Sequence, residues 1–285
     1  MIAFVGSVFS TYYSIARALG RGDPLNHCSV NVSMWHAGKY HWAFTERGRD
    51  SLHRSSDALV VGPSSLSWDG TALTIELNEL SWPRMGRLRG RLKVYPSAIT
   101  SRSVLLDTTS WHRWWPIAPK ARIEVEFDNP ATRWSGDAYV DHNAGQGPLE
   151  KSFSSWNWSR AHLRDETAIF YDLERRDQEP LSVALSATSD GELRELDTPP
   201  PCAELPATLW RLNRMTRADA ETQPEVLRVM EDGPFYARSL LRTRLKGEAA
   251  TVMQETLSLK RLAQVWIRYL VLYRNPRALR TAPPR

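Results

Sequence analysis

Leu181–Leu196, LSVALSATSDGELREL, decides the class of fold. Leu181, Val183, Leu185 and Ala187 alternate with Ser182, Ala184, Ser186 and Thr188, the period of two expected of a strand buried on one side. Asp190-Gly191 then supplies a tight turn, and Leu193–Leu196 starts back. The same grammar recurs on both sides of this stretch. Ser29–Trp35, Tyr40–Thr45, Leu73–Leu77, Arg89–Tyr95, Ile123–Phe127, Ala168–Leu173 and Ala250–Leu259 all read as half-buried strands, and Asp69-Gly70 marks a turn after Trp68. Helical periodicity is missing until the C-terminal end. The expectation is an all-β protein built from antiparallel barrel or sandwich units.

About fifteen candidate strands are too many for one small barrel, so two β units are expected. Pro116 and Pro119 favour a division into 1–115 and 116–257, and Pro199-Pro200-Pro201 reads as a long loop inside the second unit. No internal repeat is strong enough to confirm a duplication. The opening MIAFVGSVFSTYYSIARAL, Met1–Leu19, lacks the basic start of a signal peptide and is interrupted by Ser, Thr and Tyr; it reads as a first strand plus a short helix.

Composition narrows the class of partner. Of 37 basic residues, seven (Lys260, Arg261, Arg268, Arg274, Arg277, Arg280 and Arg285) follow the last acid, Glu255. The remaining 30 face 32 acidic residues, so the body carries about −2 and the formal +5 belongs to a tail. That distribution, with no helix-turn-helix, zinc-finger or RNP signature, argues against nucleic acid as a partner. Cys28 and Cys202 give neither a disulfide framework nor a metal spacing, and reduced cytoplasmic thiols are expected. No run reaches the roughly 20 apolar residues of a membrane span.

Ser258–Tyr273, SLKRLAQVWIRYLVLY, is the one persuasive helix, within a C-terminal part 258–285. Leu262, Val265, Trp266, Tyr269, Leu270 and Tyr273 form its apolar positions. Two readings stay open: a helix packed on the β body with its arginines in solvent, or a helix lying in an anionic bilayer surface. The end, RTAPPR from Arg280, reads as disordered.

Chemistry concentrates in Trp111–Trp158, which holds six of the twelve tryptophans. Trp111-His112-Arg113-Trp114-Trp115 and Trp134-Ser135-Gly136-Asp137-Ala138-Tyr139-Val140-Asp141-His142-Asn143 mix aromatic rings with titratable groups. In extended segments His112 shares a face with Trp114, and Tyr139 with Asp141. Such a tract either packs a core and caps turns or forms an aromatic pocket with placed acids. Nucleophile-elbow, P-loop, Rossmann and H-E-x-x-H patterns are absent, so no metal or cofactor is expected. His27, His36, His41 and His53 read as surface or turn residues.

At these residues the chain resembles bacterial carotenoid 1,2-hydratases (hydroxyneurosporene synthases). The resemblance rests on RWSGDAYVDHNAGQGPLEKSFSSWNWSRA (Arg133–Ala161), FVGSVFSTYYSIAR, NHCSVNV (Asn26–Val32), WAFTERGR (Trp42–Arg49), HRWWPIAPKARIEVEF (His112–Phe127) and FYARSLLRTRLKGE (Phe235–Glu248). The matches cover nearly the whole chain in order and imply a short-form member without an N-terminal extension. They further imply a lipocalin-like β fold in two units, and cofactor-free addition of water across the terminal C1–C2 double bond of an acyclic carotenoid. An H-x-W pair and a Y-x-D pair would hold the catalytic groups, here His112 with Trp114 and Tyr139 with Asp141.

Hydrating a trisubstituted alkene needs a proton on the less substituted carbon and then water at the tertiary cation. Asp141 is the candidate acid, because burial among aromatics keeps a carboxyl group protonated. Tyr139 would orient it or relay the proton. Trp114 would stabilise the cation, with Trp134 and Trp156 lining the substrate, and His112 would deprotonate the water. The roles of His112 and Asp141 are exchangeable at this level. A carotenoid must be loaded from a membrane, so the implied location is cytoplasmic and peripheral to the inner or intracytoplasmic membrane, with the bilayer reading of Ser258–Tyr273 favoured. Competing readings are a non-catalytic carrier of apolar ligands and an enzyme that cyclises or isomerises another polyene.

Overall fold

The computed structural model describes residues 1–81 and 86–278; the expected disorder from Arg280 lies outside the described residues. Strand β1 (Ile2–Val5), helix α1 (Thr11–Ala18), β2 (Cys28–His36) and β3 (Lys39–Arg47) come first, the three strands forming one sheet in that order. A meander follows: β4 (Leu52–Arg54), β5 (Ala58–Val61), β6 (Ser64–Trp68), β7 (Leu73–Ser81) and β8 (Gly86–Pro96). After the short β9 (Val104–Leu105) come β10 (His112–Asn129) and β11 (Ala131–Gly145), which close the order β11-β10-β8-β7-β6-β5-β4.

One helical turn, α2 (Leu149–Ser152), leads into β12 (Phe153–His162), β13 (Glu166–Arg175), β14 (Leu181–Thr188), β15 (Leu193–Glu195), β16 (Cys202–Glu204), β17 (Met215–Arg217), β18 (Glu225–Asp232), β19 (Tyr236–Leu245) and β20 (Glu248–Ser258). Seven of these form the sheet β15-β14-β13-β12-β20-β19-β18, while β16 and β17 pair separately. The fold is therefore all-β and antiparallel. Among the described residues every sheet order is an open path, with no closed barrel. The strand–turn–strand reading of Leu181–Leu196 matches the β14–β15 pairing, in which Ala187 faces Leu193. Both thiols are free, Cys28 buried and Cys202 exposed.

Two compact units emerge. One comprises Met1–Pro96, Arg122–Ala138 and the chain from Arg268; the other comprises Ser97–Ala121 and Tyr139–Ile267. The sequence position 115/116 falls inside the first segment of the second unit.

In the second unit, alternation along the seven-stranded sheet separates two chemistries. One face buries Ala161, Ala168, Phe170, Ala184, Leu241 and Val252 in an apolar cluster. The other is set by cross-strand register. Leu173, Trp156, Leu257 and Tyr236 make one row; Tyr171, Trp158, Glu255 and Arg238 the next; Ile169, Arg160, Met253 and Leu240 a third. This second face, aromatic with charges embedded in it, carries the site.

Two expectations are corrected. The single helix over Ser258–Tyr273 is two, α3 (Leu259–Leu262) and α4 (Val265–Arg274), separated at Ala263 and Gln264; β20 runs on to Ser258 through its ladder with β12, and the Ser258 side chain caps α3. The helix packs through Ile267 and Val271, while Val265, Trp266, Tyr269, Leu270 and Tyr273 face outward. His27 is not a surface residue. It is 4 % exposed, and its Nδ1 lies 2.8 Å from Glu46 Oε1, with Arg277 bonded to the same carboxylate. The segment around Arg277 bridges to β3 through Glu46 N–H donating to the Pro276 carbonyl at 3.0 Å and Ala278 N–H donating to the Glu46 carbonyl at 2.8 Å.

A second buried pair in that unit joins Arg47 to Glu79 at 2.7 Å, and Ser64 Oγ donates to the same carboxylate at 2.6 Å. Glu79→Ala strands a buried guanidinium and is expected to cost about 3 to 5 kcal/mol of unfolding free energy. Denaturant titration measures this, and a loss under about 1 kcal/mol would show that the pair is dispensable.

Candidate active site

The first turn of β10 is fixed by Asp107. Its Oδ1 accepts from the Trp111 N–H at 2.9 Å, and its Oδ2 pairs with His112 Nδ1 at 2.6 Å. Burial pushes the Asp107 carboxyl up, but the bonds from His112 and the Trp111 backbone outweigh it and hold the group below its ordinary value. The other ring nitrogen, Nε2, lies 3.3 Å from the Gly147 carbonyl. Carboxylate and carbonyl are both acceptors, and a neutral imidazole has one N–H, which the shorter bond assigns to Nδ1 and Asp107. Glycine is needed beside the ring: a Cβ on Gly145 would sit 2.7 Å from His112 Cδ2.

Alternation puts His112 and Trp114 on the buried side of β10, with Arg113 outward. Trp114 is 0 % exposed and donates its indole N–H to Asp141 Oδ2 at 2.9 Å. Two residues earlier on β11, Tyr139 donates to the same oxygen at 3.3 Å. The expected shared faces are therefore present, and Trp114, Tyr139 and Asp141 converge on one oxygen. His112 stands apart from that oxygen, edge-on to Phe153 at 5.0 Å.

The aromatic face of the sheet completes the surroundings. Tyr171 meets Trp114 edge-on at 5.4 Å and Trp156 at 5.9 Å. Trp158 lies 5.2 Å from the Tyr139 ring, and the Arg160 guanidinium sits 5.2 Å over that ring. Asp141 is half-buried among these rings. Desolvation raises its pKa to about 6, Glu255 adding to the shift while the Trp114 and Tyr139 bonds and Arg160 oppose it. Burial likewise drives the Tyr139 and Tyr171 phenols well above their ordinary value, Asp141's charge adding to it. Such a site can deliver a proton to a weak base in an apolar setting. Among the described residues no group of three or more His, Cys, Asp or Glu side chains is arranged to hold a metal ion.

The carotenoid hydratase CrtC family model matches residues 1–282. The chain belongs to this family. As a CrtC member it is an enzyme, a hydro-lyase. It is similar to the acyclic carotenoid 1,2-hydratase of Thiocapsa roseopersicina, 47 % identical over 278 residues that span 97 % of this chain and 68 % of that one. The acyclic carotenoid 1,2-hydratase of Rubrivivax gelatinosus is 42 % identical over 279 residues, covering 97 % and 68 %. That of Rhodobacter capsulatus is 40 % identical over 279 residues, covering 97 % of each chain. In fold, the chain resembles the crystal structure of an AttH-type protein of Nitrosomonas europaea at TM-score 0.54 and 12 % identity, over 82 % of each.

Within this CrtC chain, Trp156 lines the aromatic face, whereas Trp134 lies in the other unit and is 48 % exposed. Sequence reasoning missed Asp107, Arg160, Tyr171, Arg238 and Glu255. Glu255 had a signal: it stands between Met253 and Leu257 at the same parity of a strand, an acid on an apolar face.

Asp141 should titrate near 6 by carbon NMR of the labelled carboxyl. Trp114→Phe removes a donor to the carboxylate and should move that value upward. A wild-type value under 5, or a downward move in the variant, would contradict this environment.

Proposed function

We propose that this enzyme hydrates the terminal C1–C2 double bond of an acyclic carotenoid, of neurosporene or lycopene type, without a cofactor, giving a 1-hydroxy product. The observation that carries the reading is Asp141: a carboxyl group with a pKa of about 6, gripped by an indole and a phenol within an aromatic wall. It supplies the proton to C2, and the tertiary cation forms at C1. Tyr139 orients the carboxyl group. Trp114 shows no accessible surface and spends its N–H on Asp141, so its part is to position the acid. Trp156 and the phenol rings beside it provide the faces that stabilise the cation, each worth roughly 0.5 to 2 kcal/mol when desolvated. His112, bonded to Asp107 and packed against Gly145, anchors the start of β10.

A polyene of this length has to be drawn from a bilayer. The outward residues of α4 support that route: Val265 and Tyr269 are 70 % and 68 % exposed, and Trp266 stacks on Trp210 at 6.0 Å. Leu209 beside it is 87 % exposed. No helix of the described residues is long and apolar enough to cross a membrane, so the proposed contact is peripheral, on the cytoplasmic side of the inner or intracytoplasmic membrane.

In cells making the carotenoid, Asp141→Asn should cut the 1-hydroxy product by at least about 100-fold. Full retention would remove Asp141 from the mechanism. The acid must be protonated to act, so kcat/KM should fall about tenfold per pH unit above about 6 and level off below it. A flat profile from 5 to 8 would count against it. Replacing Trp266 and Tyr269 by Ser should weaken sedimentation with anionic liposomes, and unchanged sedimentation would refute the bilayer contact.

A further inference from the structure

Asp141 accounts for one proton transfer of the hydration, and the second has no assigned partner. The aromatic face offers one. Glu255 lies on β20 directly opposite Trp158 of β12 and Arg238 of β19, inside the row Tyr171–Trp158–Glu255–Arg238. Its Oε1 accepts from Arg238 Nε at 2.8 Å, and its side chain keeps 23 % of its surface. A carboxylate offers about four acceptor directions, so one guanidinium bond leaves capacity for water.

Two donors on the same face lack a well-formed hydrogen bond. Trp158 is 9 % exposed, and its indole N–H is buried without a hydrogen-bond partner among the described residues. The Tyr236 hydroxyl, diagonal to Glu255 across the β19–β20 ladder, is buried and interacts with the Glu255 carboxylate without a hydrogen bond of good geometry. Leaving a buried donor unmade costs about 1 to 3 kcal/mol, so two beside one carboxylate call for an occupant that accepts from them. Water meets that requirement, because it accepts from both and donates to Glu255.

We propose that Glu255 is the base for the attacking water, which Trp158 Nε1–H and the Tyr236 hydroxyl hold beside it. This rests on the hydratase reading with Asp141 as the acid. The π pair of C1=C2 takes the proton of Asp141 to form C2–H, leaving the cation at C1. A lone pair of the water oxygen forms C1–O, one O–H bond breaks, and its proton passes to Glu255. Return of that proton to Asp141 restores the enzyme, and the sum is alkene plus water to alcohol.

Charge accounting favours this arrangement. The groups around it are Asp141 and Tyr139 of β11, Trp158 and Arg160 of β12, Tyr171 of β13, Glu231 of β18, and Tyr236 and Arg238 of β19. Arg238 lies 3.6 Å from Glu231 as well as bonding Glu255. With Asp141 protonated, two arginines offset two glutamates. With the cation formed and Asp141 ionised, the sum including substrate is unchanged. After Glu255 takes the water's proton it is unchanged again. No intermediate adds net charge to a desolvated site, which would be expensive.

The test uses the full chain and an acyclic carotenoid in liposomes made up in deuterium oxide. Glu255→Gln keeps the shape and an acceptor for Arg238. It should lose alcohol formation by about 100-fold while the recovered carotenoid gains deuterium at C2, because the cation still forms and reverts. Alcohol formation within threefold of wild type overturns the proposal. So does loss of deuterium uptake together with alcohol in a folded variant, since Glu255 would then act through Asp141. Asp141→Asn should lose both signals; if it retains deuterium uptake, the reading of Asp141 fails independently of Glu255. Tyr236→Phe guards against a folding artefact. Removing this poorly bonded hydroxyl should leave the protein folded with little change in melting temperature, yet lower alcohol formation about tenfold. Full activity in Tyr236→Phe overturns the held water.

Discussion

A carboxyl group packed against aromatic rings is the constraint on which the second unit depends. Asp141 receives one indole N–H and one phenol O–H, and its burial among aromatic rings, with Glu255 adding and Arg160 opposing, leaves its pKa at about 6. The native state bears a cost for this. Below the unfolded value of 3.8 both states hold the proton and there is no difference. As pH rises toward 6 the unfolded chain ionises first, so native stability is lost through that window and stays lost above it. The sheet beneath must therefore be stable without help from this residue. It supplies that through fully buried side chains such as Ile169, Leu185, Leu241, Leu245 and Leu257.

The same constraint explains why the site sits where two elements meet in different ways. β10 and β11 each offer alternate residues, so one from each reaches the Asp141 carboxyl group, Trp114 from β10 and Tyr139 from β11. Neither strand alone surrounds an acid. The rows of β13, β12, β20 and β19 provide the rest in register, and a slip of one residue would put Asn157, Ser159, Gln254 and Thr256 there instead.

This is also why some of it was readable in the sequence and some was not. Period-two patterning is local, so β2, β3, β7, β8, β13, β14 and β20 were legible from their own residues, as was the shared face of Tyr139 and Asp141. The break between α3 and α4 was not, because Leu262, Val265, Trp266 and Tyr269 continue a helical period across it. The β12–β20 ladder, a pairing nearly 100 residues apart in sequence, fixes where the helical segment begins, and the chain leaves the helical pattern at Ala263 and Gln264. His27 was misread for a similar reason: its partners, Glu46 and Arg277, are close only in the fold. Which acids share a site depends on register between distant strands. Glu255 thus looked like the last acid before a basic tail, when its neighbours are Trp158 and Arg238.

Two carboxylates on one face usually compete for the same proton, and the surroundings here keep them distinct. Asp141 meets neutral donors, and Glu255 meets a guanidinium. A difference in surroundings of this kind is what acid–base pairs require. The choice of donors follows the same logic. An indole N–H and a phenol O–H steady a carboxyl group without presenting an amine or thiolate that a tertiary cation would alkylate. The proposed cation calls for a site rich in rings and poor in nucleophiles, and Trp114, Trp156 and Trp158 with Tyr171 meet that demand by position more than by number.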